Sequence, residues 1–530
     1  MSNLKLAVSA FFLSIGLVGF SQSTSIPNVL NLKSAKQSGE IIENQKLVGY
    51  YVFYFKEKAD KKNSTYEVSL FDDNFKPKKS FEITRPKKTV LLETVFNGSC
   101  FLLSFFDNKT GLELVTIDKA GKQLGSVIKD KKEMSSYELQ LLTMNMSSED
   151  GDVSIYPFGK TGFIRSTISD NKKMGYEVIA YDNSMKELWK SASPSDSKLI
   201  ETIEISEVSE KFVTATVSRK KNLLTKEVES ACLILDIETG KKICELSLGS
   251  DEKGRLSLLK SAYNEKDENF LIVGEFYKAG DDIMRDKSQG IYIQKISESG
   301  KEESMKKFKW KGDVDKFKQE NLDEEDKKDA EKQFYIFFHE VIIAQNGHIF
   351  LIGEQFKKQI SGLALAGKGL AAMSGSGSTQ ASTFEIRVAN MVVIELDEKT
   401  ELVDFDLIQK RKTSVMLPQG AGFWSAAYLG YYVNAIGGFD YSFTSKNIEK
   451  DQYSVVYTDY NRKEENSKAK ADCMLGVINF DKGKRTNNRI PVNSEAKKWW
   501  IEIAKPGYVA IGEYFKKEKE LKYRLEPLKY

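Results

Sequence analysis

The chain is short of the residues that most catalytic sites use. Its 530 residues include two histidines, His339 and His348. No multi-histidine metal site can be built from them. His348 follows Gly347 at a turn, and His339 lies on an apolar strand beside Glu340. Each is read as a lone polar residue and not as a base. No P-loop, Gly-x-Ser-x-Gly elbow or His-Glu-x-x-His motif is present. Asp313-Val-Asp315 begins like a calcium loop, but Phe317 stands where the next oxygen ligand should be. No cofactor, metal site or catalytic residue is therefore expected.

Other scarcities narrow the class. Nine prolines and 36 glycines put the chain outside the low-complexity proteins. The 79 basic and 76 acidic residues nearly cancel, leaving a formal charge of +3. Lysine makes up most of the basic side, with little arginine for bidentate base or phosphate contacts. Nucleic acid is not an expected partner. Four cysteines occur, at 100, 232, 244 and 473. A hairpin turning at Glu238-Thr239-Gly240 places Ile234 opposite Cys244 and makes Cys232 its diagonal neighbour. Diagonal positions lie about 7–8 Å apart, too far for easy bridging. Four buried thiols are expected, with a Cys232–Cys244 disulfide as the alternative.

One apolar run stands out, Leu6 to Phe20, preceded by Lys5 and followed by Ser21 and Gln22. Fifteen apolar residues are short for a bilayer span. With Gly19 and Ser21 at the −3 and −1 positions, residues 1–21 read as a cleaved signal peptide. No Cys follows, so a lipoprotein anchor is not expected. The mature chain should be exported, periplasmic or extracellular, with no transmembrane segment.

What is abundant is strand. Aromatics make up 11% of the residues, including 23 tyrosines and 31 phenylalanines, a composition that favours sheets. The organising stretch is Ile272-Val-Gly-Glu-Phe-Tyr-Lys278. It returns as Leu351-Ile-Gly-Glu-Gln-Phe-Lys357 and as Ala510-Ile-Gly-Glu-Tyr-Phe-Lys516. A worn copy, Ala435-Ile-Gly-Gly-Phe-Asp-Tyr441, lies between the last two. The glycines at 274, 353, 437 and 512 are 79, 84 and 75 residues apart. A near-constant step marks a repeat architecture. Each unit carries an aromatic-rich strand and then an apolar strand ending in Asp, as at Asp72, Asp118, Asp182, Asp236, Asp397 and Asp481. A polar turn and a short strand follow, and a further strand precedes each unit. Asp side chains can close such turns onto their own backbone.

About eight units of four antiparallel strands describe a β-propeller over residues 45–530. Seven blades, an open solenoid or stacked sandwiches are the alternatives. The N-terminal segment, residues 22–44, is expected to close the ring, its strand near Gly39-Glu-Ile-Ile-Glu43 completing the last blade. Two insertions break the cadence. The charged run from Asp313 to Lys332 reads as a rim helix. The Gly, Ala and Ser-rich stretch from Ile360 to Thr383 reads as a mobile hairpin extension or a flap.

The repeated carboxylates, Glu275, Glu354 and Glu513, are the candidate ligand-binding residues. Their structural reading is pairing with Lys or with backbone donors of the next blade. Their functional reading is a cluster at one mouth that binds a cation or a sugar. They sit one strand out from the channel, which favours the first.

Three likenesses accompany these residues. The leader ending in Phe20-Ser-Gln22 resembles signal peptides of Bacteroidota. Asp236-Ile-Glu-Thr-Gly240-Lys241 resembles the hairpin of pyrroloquinoline-quinone-type propeller repeats, which implies the fold and not the cofactor. The Gly-Glu-aromatic-x-Lys copies are similar to those of uncharacterised secreted bacterial propeller-like proteins. The expected role is a non-catalytic binding or scaffold protein of the cell envelope, its partner a protein or glycan. The alternative is a glycan-active hydrolase or lyase with carboxylates at one mouth.

Overall fold

A computed structural model describes residues 23–30, 38–43, 46–147, 154–169, 174–222, 228–248, 254–281, 286–317, 334–361, 381–418, 421, 424–460 and 473–528. The apolar leader, most of the charged run after Asp313 and residues 362–380 lie outside them. The fold is a β-propeller of eight four-stranded antiparallel blades, blade 6 carrying a fifth strand. The chain divides into two compact units, residues 1–87 with 494–529, and residues 88–493.

The first unit holds two blades. Blade 1 runs Gly39–Glu43, Lys46–Glu57, Asn63–Asp72 and Pro77–Pro86. Blade 8 runs Lys498–Ile503, Tyr508–Phe515 and Glu520–Pro527. Its outermost strand comes from the N-terminal segment, as expected, but is Ser23–Ile26 and not Gly39–Glu43. Ser23 lies opposite Arg524 and Ile26 opposite Leu521. Gly39–Glu43 is instead the first strand of blade 1 and pairs with Lys46–Glu57. Val29, fully buried, follows the short clasp strand and donates its amide to Lys519. Tyr514 donates its hydroxyl to the Val29 carbonyl. Pairing the outer edge of blade 8 removes an exposed row of backbone donors and acceptors. Tyr50, Phe75 and Tyr523 stack in sequence in the shared core, at centroid distances of 4.2 and 5.3 Å.

The second unit holds blades 2 to 7. Their first strands are Val90–Phe96, Ile155–Phe158, Ile200–Val208, Arg255–Asn264, Tyr335–Ile343 and Tyr441–Asn447. The Gly-Glu stretches are second strands, Asn269–Tyr277 in blade 5 and Ile349–Ile360 in blade 6. The strands ending in Asp are third strands, as the cadence requires. Their carboxylates close the turns: Asp118 Oδ1 accepts from the Ala120 and Lys122 amides, and Asp182 Oδ1 from Ser184 and Lys186. Apolar cores form where blades pack face to face. Leu271, Val273, Ile291 and Ile293 of blade 5 meet Leu351, Val392 and Ile394 of blade 6. A buried residue of this kind contributes about 1.5–3 kcal/mol.

Among the described residues two α-helices interrupt the strands, α1 (Ser136–Ser147) before blade 3 and α2 (Ala426–Ala435) before blade 7. Ser425 caps α2 by accepting from the Tyr428 amide. The supposed fourth Gly-Glu copy, Ala435–Tyr441, is therefore the end of a helix and the turn after it, and Gly437 has φ +64°. The true second strand of blade 7 is Gln452–Tyr460.

The repeated glycine has a steric cause. Gly274 lies opposite Tyr292, and a Cβ there would come within 2.3 Å of that ring and 2.0 Å of the Ser257 carbonyl. Gly512 lies opposite Tyr523. In blade 7 the pair is reversed: Tyr457 is on the second strand and Gly476 on the third, with a Cβ at 476 only 2.0 Å from the ring. All three tyrosines are fully buried. The glycine leaves room for a cross-strand ring.

The four cysteines are free; Cys100 and Cys232 are buried as expected, Cys244 and Cys473 only partly, and Cys244 lies opposite Ile234 as expected. No helix among the described residues is long and apolar enough to cross a membrane.

Candidate functional site

Five first strands of the second unit are bulged at one place. The ladders skip Leu92, Ser206, Leu259, His339 and Ser442 in blades 2, 4, 5, 6 and 7. A bulge sets two residues against one on the partner and re-aims a side chain. Four of these five, Ser206, Leu259, His339 and Ser442, line a single cavity of about 1010 Å³. That is the upper end for ligand pockets, about 300–1,000 Å³.

The wall from blade 4 is polar. Thr216 and Ser218 alternate with buried Val217, so they share one face. Glu204 lies opposite Thr216, and Ser230 opposite Ser218. Deeper between blades 4 and 5 the contact is apolar, through Cys232, Ile234, Leu258 and Ile272. The apolar core thus opens into a hydroxyl-lined cleft. Blade 5 contributes Arg255, Ser257 and Lys260 to its other wall.

An aromatic wall closes the cavity. Tyr428 and Tyr431 of α2 line it, 45% and 49% exposed. The Phe337 ring meets Tyr431 edge-on at 5.7 Å and stacks on Phe439 at 4.9 Å. His339 stacks on Tyr441 at 4.5 Å, with the rings 5° from parallel.

Behind His339 lies a buried charge cluster. Its Nε2 is 3.3 Å from Glu354, and Lys410 Nζ is 2.9 Å from the same carboxylate. Lys410 also donates to Asp440. The side chains of Glu354 and Lys410 are fully buried. Glu354 accepts the Asp440 and Tyr441 amides at 3.2 Å, at the start of the first strand of blade 7. Burial opposes ionisation of Glu354, but Lys410 overrides it and holds the carboxyl well below its ordinary value. Burial also opposes the Lys410 charge, and Glu354 with Asp440 holds that ammonium above its ordinary value. Burial, with Glu354 alongside, moves the Asp440 carboxyl upward.

The three repeated carboxylates have different surroundings. Glu354 makes both contacts expected of the structural reading, a lysine and backbone donors of the next blade. Glu275, half-buried, accepts from the hydroxyls of Ser288 at 2.6 Å and Tyr277 at 3.1 Å. Burial moves its carboxyl upward. Glu513, in the other unit, lies 3.5 Å from Arg524 Nε. None of the three is among the residues lining the cavity. Sequence reasoning took His339 as a lone polar residue and did not single out Arg255, Lys260 or Lys410. A faint signal for the bulges was there: Leu259 and His339 are eighty residues apart, within one residue of the 79-residue step of the glycines.

Residues 2–529 match a family of unknown function, DUF6770. The chain belongs to this family. No curated protein matches the chain. Several solved structures are similar at low identity. A quinohemoprotein alcohol dehydrogenase of Pseudomonas putida HK5 shares 9% identity, with TM-score 0.40, over 93% of this chain and 76% of that one. Prolyl oligopeptidase B of Galerina marginata shares 8%, with TM-score 0.38, over 92% of this chain and 56% of the peptidase. The WD40 domain of SCAP from fission yeast shares 8%, with TM-score 0.26, over 82% of this chain and 91% of that domain. Likeness at this level assigns no activity to this member of DUF6770.

Proposed function

We propose that the chain is an exported propeller of the cell envelope that binds a ligand without transforming it, and that the bulge-lined cavity is its binding site. The observation that carries this reading is the make-up of the lining. Rings, hydroxyls, aliphatic side chains, an amide and the cations Arg255 and Lys260 surround the space, and Glu204 is the one carboxylate among the described residues that line it. Glycoside hydrolysis ordinarily needs two carboxyl groups across the scissile bond. Apolar walls with a few placed polar groups are the usual make-up of binding pockets. Export rests on the leader, residues 1–21. N-terminal sequencing of the natural product should begin at Gln22.

The functional test uses the mature chain and soluble envelope polysaccharides. Saturable retention is expected, reduced in Tyr431→Ala and Phe337→Ala, with polysaccharide length unchanged. Shortening of the polysaccharide that disappears in Glu204→Gln would overturn the reading in favour of a hydrolase or lyase.

A further inference from the structure

Resting on that reading, we infer that the cavity takes an acidic saccharide, its carboxylate held by Arg255 and Lys260 and its sugar ring laid against the aromatic wall. Three observations converge. First, Arg255 and Lys260 both line the cavity, and neither has an ion pair among the described residues. The Nε of Arg255 is buried with no hydrogen-bond partner there. A buried guanidinium nitrogen left unpaired is costly. A ligand carboxylate offers the geometry that a guanidinium fork accepts. The nearby Glu207 carboxylate already accepts the Tyr263 amide, 2.8 Å away, at the first strand of blade 5.

Second, five serines and a threonine line the same space. Hydroxyls both donate and accept, which suits a ligand bearing many hydroxyls of its own. An aromatic acid would leave most of them without a partner. Third, Tyr431 is half exposed on α2, and its ring borders the cavity beside Phe337. Ring faces carry negative potential and attract the positive C–H edges of a ligand. At about 1010 Å³ the cavity has room for more than one sugar ring.

The test is calorimetric titration of the mature full chain with trigalacturonate and with a hyaluronan tetrasaccharide. Neutral galactotriose serves as the control. At least one acidic sugar should bind, and at least tenfold more tightly than galactotriose. Arg255→Gln should lose at least tenfold for the acidic sugar and leave galactotriose unchanged, because hydrogen bonds between charged groups are the strong ones and the neutral sugar makes none. Lys260→Gln, which removes the second cation and leaves the guanidinium in place, should lose less and flatten the salt dependence. Equal affinity for galactotriose, unaffected by either substitution, would overturn the acidic assignment and leave the binding reading standing. Binding of neither acidic sugar would also overturn the inference, while the polysaccharide experiment judges the binding reading separately.

Discussion

Two glutamates, one in each unit, buried Glu354 and half-buried Glu502, show what a neighbouring cation decides. Glu354 of blade 6 has Lys410 at 2.9 Å and stays ionised. Glu502 of blade 8 accepts from Trp500 Nε1 at 2.5 Å, and no ion pair of it is found among the described residues. Burial therefore wins there and pushes its carboxyl up to about 7. Glu40 in the same unit is likewise raised to about 7, by burial first and by the Glu502 charge second. The second unit thus carries a fixed charge cluster behind its cavity. The first carries acids that change state near neutral pH.

The strongest way to break this contrast is to remove the cation. Lys410→Met leaves Glu354 and Asp440 buried without their partner. Loss of one member of a buried ion pair costs about 3–5 kcal/mol. Urea unfolding should show that loss, and adding Glu354→Gln should restore part of it. A change below about 1 kcal/mol in Lys410→Met would mean that the cluster is hydrated and the contrast false.

The next effect is a pH dependence of opposite sign in the two places. Glu502 has a folded-state value above its unfolded one, so its contribution is complete below about 4.5 and is lost as pH rises through about 7. Glu502→Gln should abolish that loss, gaining on the order of 1–3 kcal/mol at pH 8 and little at pH 4. Glu354 has a depressed value, so its contribution is present above about 4.5 and is lost as pH falls through the folded value. Glu354→Gln should flatten the acid limb of the stability profile. Chemical denaturation at a series of pH values measures both limbs, and parallel limbs in the two variants would contradict the assignment.

A steric effect of no greater size sharpens the comparison. A Cβ at Gly512 would stand 2.5 Å from the Trp500 ring that holds Glu502, whereas one at Gly353 meets the Ile336 methyl at 2.7 Å. Gly512→Ala should cost about 1–3 kcal/mol, as overpacking does. Gly353→Ala should cost less, because its tightest contacts, the Ile336 methyl at 2.7 Å and the Phe337 carbonyl at 2.9 Å, are looser than the approach to the Trp500 ring. Thermal unfolding of the two variants checks the order, and a larger loss at 353 would reverse the argument.

Much of the fold was legible because a propeller repeats its local rules. The Asp-ended third strands, the turns they close and the Gly-Glu second strands follow from alternation and turn chemistry at each blade. The misreadings have physical causes. Ile436-Gly-Gly-Phe439 copies the letters of a second strand, but in blade 7 the tyrosine and glycine exchange strands, so the motif has no reason to sit there. The clasp strand Ser23-Thr-Ser-Ile26 has one buried side chain, Ile26, and no apolar pattern to betray it. Gly39–Glu43 looked more like a strand and was one, in a different blade. The candidate site was the least legible part. A bulge changes which face a residue shows without changing its neighbours in sequence, and so His339 read as an ordinary strand residue. Arg255 and Lys260 gain meaning only from the hydroxyl face of blade 4 across the cleft.

The central claim is that the bulges of blades 4 to 7 shape a binding cavity. A crystal structure of the mature chain grown with trigalacturonate tests it most directly. The account predicts sugar density between Arg255 and Tyr431, with the carboxylate on the guanidinium. Density elsewhere on the molecule, or an Arg255 turned out to solvent with the cavity filled by neighbouring side chains, would contradict it.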